Sequence, residues 1–147
     1  MPYGKPSNKI LVAGQPIVDE CVTEGTSVKP GLLVIKGTND NQVGLAGAGA
    51  LNVLGVVDID PRYKMTDAFA DKAPVKVLKG PIVVLLLLAA SQTIAKGRRL
   101  QAAANGQVQG FPAVPAAADI EKLIAYAEES VTTGAAETKW IMARLVI

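Results

Sequence analysis

The residues of this chain that could do chemistry are few and scattered. Asp58 and Asp60 stand two apart, just before Pro61. On a strand they would share a face and could hold a hard cation through oxygen atoms. In a turn they are simply the acids that favour a following proline, and that reading fits better. Glu128 and Glu129 are adjacent, so their side chains diverge in helix and strand alike. Asn39-Asp40-Asn41 lacks the rest of a calcium loop. Ser91 and Lys96 have the types of a nucleophile and its base, but only proximity pairs them.

What is missing excludes more. The chain contains no histidine, which removes Ser-His-Asp and Cys-His catalysis, most zinc sites and the commonest general base near neutral pH. Cys21 is the one cysteine and has no internal disulfide partner. It lies among Ile17, Val18 and Val22 and reads as a small core residue. There is no Gly-x-Gly-x-x-Gly, no Walker-type loop and no Cys-x-x-Cys. The glycine-rich stretch 44–49 is followed by no Lys-Ser/Thr, so it reads as a place of close backbone approach. The expectation is a chain that is not an enzyme and holds no cofactor or metal.

Charge points away from nucleic acid. Fifteen basic and thirteen acidic residues are interspersed, for a net charge of +2. The densest basic spot, Lys96, Arg98 and Arg99, reads as a solvated edge beside a turn. Half of the 147 residues are hydrophobic. A chain of this length buries roughly 68–70% of its unfolded surface, enough for one domain with a core.

The elements are short and punctuated. Residues 1–9 carry two prolines and a glycine, have no apolar leader-like run, and read as an extended arm. Residues 10–147 read as a single β-rich domain. Strands are expected near 9–13, 17–22, 32–36, 42–45, 51–57, 75–78, 82–88 and 139–147. The longest apolar run, Pro81 to Ala90, falls far short of the roughly 20 residues that span a bilayer, so it reads as a buried strand. No membrane is expected as a partner. Asp119 to Glu129 carries both signals: Ile120, Leu123, Ile124 and Ala127 share a helical face, while the repeat described next asks for a strand. A short helical turn followed by a strand is expected there.

The second half repeats the first. Val28-Lys29-Pro30-Gly31 has a counterpart in Ile94-Ala95-Lys96-Gly97, each a turn that opens a strand. Residues 39–44 match 104–109, and Leu54 to Asp58 matches Ile124 to Glu128. The offset is about 65 to 70 residues. Halves near 17–80 and 81–147 follow, each built on one strand–turn–strand unit.

Two resemblances can be drawn. Val-Lys-Pro-Gly-Leu-Leu-Val (28–34), a polar turn, small residues, then Val-Leu-Gly-Val-Val-Asp (53–58) resembles the decoration, or cement, proteins of tailed-virus capsids. That resemblance implies a small β-sandwich or barrel-like domain with little helix, assembled as a homotrimer on the outer capsid surface. It further implies that the protein binds and crosslinks the major capsid protein through the arm, at Pro2, Tyr3, Gly4, Lys5 and Pro6. Asp71-Lys72-Ala73 matches instead the tripeptide around the modified lysine of lipoyl carrier domains, and implies, as the alternative, a carrier modified at Lys72.

Overall fold

Short apolar runs broken by glycine, proline and Asx turns fold into thirteen short strands and two 3-10 turns in the computed structural model, which describes residues 8–147. The expected arm residues Pro2, Tyr3, Gly4, Lys5 and Pro6 lie outside the described residues.

After β1 (Leu11–Ala13) come β2 (Ile17–Thr23), β3 (Leu33–Lys36), β4 (Gln42–Leu45), β5 (Gly55–Val57) and β6 (Pro74–Lys79). The last five close into a barrel in the order β2-β4-β3-β5-β6, with β6 pairing back onto β2. The second half supplies β7 (Val83–Leu88), β8 (Thr93–Ile94), β9 (Arg99–Ala102), β10 (Val108–Gly110), β11 (Ala125–Ala127), β12 (Val131–Thr132) and β13 (Lys139–Leu145). Here β7, β10, β9, β11 and β13 make the same circuit, closed where β13 pairs with β7. β1 pairs with the start of β7, at Val83 and Val84, on the edge that β10 meets at Leu88, and β8 pairs with β12 alone.

The two circuits correspond strand for strand, and even register is kept. Each holds one parallel pairing, Thr23 with Val43 in the first and Leu88 with Val108 in the second. Val34 opposite Gly55 recurs as Leu100 opposite Ala125. Leu78 opposite Val18 recurs as Arg144 opposite Val83. The two matched turns also close alike: Gly31 N–H donates to Val57 O at 2.9 Å, and Gly97 N–H to Ala127 O at 2.7 Å. The pseudo-repeat read from the sequence is therefore a repeat of barrels.

A five-stranded barrel is narrow, so its interior suits compact β-branched side chains. The first barrel is filled by Val28, Val34, Val43, Val57, Val75 and Val77, and Phe69 packs with them. Tyr63 meets Phe69 edge-on at 5.2 Å. Side chains alternate across each strand, so the neighbours of these valines point outward. Three of them, Leu33, Val56 and Leu78, lie directly opposite one another across β3, β5 and β6. They are nevertheless fully buried, in one cluster with Ile10, just before β1, and with Ile82 and Leu145 of the second half. The outer wall of the first barrel is thus packed against the second, and the barrels share a core.

Some sequence expectations shift. The strand expected over 51–57 begins only at Gly55. Before it, the chain leaves the barrel wall to lie on the second half, where Gly49 N–H donates to Ala102 O at 2.9 Å. Residues 117–122 form a 3-10 turn and β11 follows, as the mixed signal implied. Asp119 holds that turn, accepting from Ala116 N–H at 2.7 Å and from Lys122 Nζ at 3.1 Å. Of the supposed helical face, Ile124 and Ala127 are buried, whereas Ile120 points outward.

Candidate functional site

The acids singled out from the sequence meet at the first barrel's flank. Asp58 and Asp60 follow β5 directly, and Glu20 and Lys76 face each other across β2 and β6. With Arg62 they line a pocket of about 290 Å³ floored by Phe69 and Val75. Sequence reasoning named the two aspartates but missed Glu20, Lys76 and Arg62. Arg62 was readable as part of an Asp-Pro-Arg turn, but the pairing of Glu20 with Lys76 is set by distant strands.

The pocket's groups are already engaged. Asp60 accepts three hydrogen bonds from the Arg62 guanidinium, the shortest 2.7 Å, and one from Arg62 N–H at 2.9 Å. These bonds hold its carboxyl down at about 2. Asp58 is half-buried, and its loss of solvent raises its pKa above the ordinary 3.8, against the bond it accepts from Ile59 N–H at 2.8 Å. One carboxylate is pinned in the charged form and the other is disfavoured in it. No group of three potential ligands with metal-binding geometry occurs among the described residues.

A pH-dependent stability test follows from Asp58. A carboxyl whose folded pKa is raised costs stability above that value, and the cost vanishes below the unfolded pKa. Asp58→Asn keeps an oxygen for Ile59 N–H and removes the charge. We expect a higher Tm than the unaltered protein at pH 7 and the same Tm at pH 3. An unchanged or lower Tm at pH 7 contradicts the assignment. Asp60 runs the other way: its contribution is present above the usual 3.8 and is lost as pH falls toward about 2.

The remaining candidates do not converge. Ser91 and Lys96 share no hydrogen bond; Ser91 N–H donates to Gly134 O at 2.9 Å, and Lys96 N–H to Ser130 Oγ at 3.0 Å. Glu128 turns to Arg144 at 3.3 Å, whereas Glu129 accepts from Met142 N–H at 2.8 Å. Arg98 is a brace, donating to Thr93 O at 2.7 Å and Phe111 O at 2.6 Å, so it leaves the basic spot. Burial raises the Cys21 thiol above its ordinary value, which keeps it protonated and unreactive. Lys72 is exposed in a turn with φ of 58°, tied by its N–H to Thr23 O at 3.0 Å. That turn ends the long connection 58–73 between the paired strands β5 and β6 and is not itself a tight hairpin turn, so the carrier reading rests on the tripeptide alone.

With pocket chemistry so constrained, overall form carries more information. No protein-family model matches the chain, and no curated protein matches it. Among solved structures, it is similar to the N base of head fiber gp8.5 of bacteriophage phi29. The TM-score is 0.55 at 13% identity, over 89% of this chain and 94% of that one. The chain folds like the base of a phage head fiber. At this identity the likeness is one of fold, and it spans both barrels rather than one. The head-fiber base thus provides a solved counterpart for the whole two-barrel body.

Proposed function

We propose that this chain is a structural protein of a phage virion that sits on the outer capsid surface and stabilises it by crosslinking the major capsid protein. The observation that carries this reading is the end-to-end likeness to the phi29 head-fiber base. It is an analogy of fold, and a fold can host many functions. The chemistry agrees with it. A capsid clamp needs rigid, closed β-structure without exposed sheet edges, and paired circuits remove edges. It needs no acid–base pair, no metal, no cofactor, no nucleic-acid groove and no membrane contact. The carboxylates here brace turns.

In this reading the protein acts as a homotrimer. Residues 1–8 extend to the capsid, with Pro2, Tyr3, Gly4, Lys5 and Pro6 as the contact. An extended segment can add to an exposed strand by main-chain hydrogen bonds. Three arms on one body gain from effective concentration. We expect deletion of residues 1–8 to leave the fold intact, because it retains Ile10 and every other buried residue among those described. We expect the truncated protein to keep its Tm and to bind purified capsids at least about tenfold more weakly, a change of roughly 1.4 kcal/mol. Undiminished co-sedimentation with capsids rules out the arm as the contact.

A further inference from the structure

Internal repetition leaves an unused surface at each end of the molecule. The first barrel packs on the second through the row Leu33–Val56–Leu78 and through loop 46–54, which reaches across to Ala102. The corresponding row on the second barrel is Arg99–Tyr126–Arg144, directly paired across β9, β11 and β13. It covers no third barrel: Arg99 and Arg144 are exposed, and Arg144 stacks 5.2 Å over the Tyr126 ring. The corresponding loop, 111–124, is longer and carries Val114 and Ile120 at 88% and 62% exposure.

The receiving side shows the same imbalance. Ile82 of the second barrel shares a cluster with Leu33, Val56 and Leu78 and is buried at 1%. Register makes Ile17 its equivalent in the first barrel, and Ile17 is 60% exposed. Asp19, on the same face of that strand, is ion-paired with Lys79. One surface therefore offers isolated apolar side chains beside arginines, and the other offers an isolated apolar side chain beside an acid. Three of the six large exposed hydrophobics in the described residues, Ile17, Val114 and Ile120, lie on these two surfaces.

We propose that these surfaces bind each other between copies: the Arg99–Tyr126–Arg144 row and loop 111–124 of one chain dock on the face of β2 that carries Ile17 and Asp19 in the next. The contact repeats between chains the packing of the first barrel's outer row on Ile82 within a chain. Apolar meets apolar at Ile120 and Ile17, and Arg144, held at its own chain's Glu128, meets Asp19. Tyr and Arg are the residue types that most often dominate association energy. A head-to-tail contact closes into a ring when its rotation permits. It thus gives the homotrimer of the proposed function a defined interface, and it deepens that reading.

The test needs no capsid, so its failure and that of the capsid reading are separable. Ile120→Asp disables the docking surface and Ile17→Asp the receiving one; both side chains are exposed, so circular dichroism should match the unaltered protein. Should Ile120→Asp misfold, Val114→Asp replaces it. Sedimentation equilibrium should show the unaltered protein as a closed oligomer and each variant as a monomer. An equimolar mixture of the two variants should form a dimer, because each retains the surface the other lacks. A monomeric unaltered protein, variants that keep its mass, or a mixture that stays monomeric overturns the proposal.

Discussion

Leu78→Ala lowers the free energy of unfolding by about 2–5 kcal/mol, the range for a buried leucine whose site cannot collapse. Leu78 is 1% exposed and belongs to the cluster that joins the barrels. Its equivalent in the second barrel is Arg144, opposite Val83 as Leu78 is opposite Val18. Arg144→Ala removes an exposed side chain whose ion pair with Glu128 and stacking on Tyr126 are worth about 1 kcal/mol or less. One topological position thus carries two very different loads. Urea unfolding of both variants measures this difference. Equal losses would show that the outer wall of the first barrel does not hold the molecule together.

Gly31→Ala is expected to cost about 2–4 kcal/mol, and Gly97→Ala about half of that. Both residues sit at the same turn of their barrels, with φ of +82° and +90°. A side chain there costs roughly 1–2 kcal/mol in backbone strain. At Gly97 nothing lies within 4 Å of the added carbon. At Gly31 that carbon would run into the Trp140 ring and lie 3.2 Å from Ile10. Overpacking of this kind adds about 1–3 kcal/mol. Thermal unfolding of the two variants separates strain from clash. Indistinguishable Tm values would mean that Trp140 moves aside freely.

These comparisons show what was legible in the sequence. The repeat was readable because each barrel opens its β3-type strand with a glycine at positive φ, and because Val43 and Val108 keep their places after polar turns. The order in which the strands close was not readable. It depends on β2 meeting β6 and β7 meeting β13, pairings that no local signal encodes. The burial of Leu33, Val56 and Leu78 was hidden for a related reason. An outward-facing leucine looks the same in sequence whether a second barrel covers it or not. Their counterparts Arg99, Tyr126 and Arg144 do betray an uncovered wall, but only after register has matched them.

The candidate site divides in the same way. Asp58-Ile59-Asp60-Pro61 was legible as a turn, and the structure adds Arg62, which Asp60 grips. Glu20 and Lys76 join that pocket from strands far away in the chain. No hydrogen bond joins Ser91 to Lys96, and their backbone N–H groups turn instead to Gly134 O and Ser130 Oγ.

If this chain is a capsid-surface component, quantitative mass spectrometry of purified virus particles from the source of the sequence will find its peptides in copy number comparable to the major capsid protein. Absence from the particles, or only a few copies in each, would contradict it.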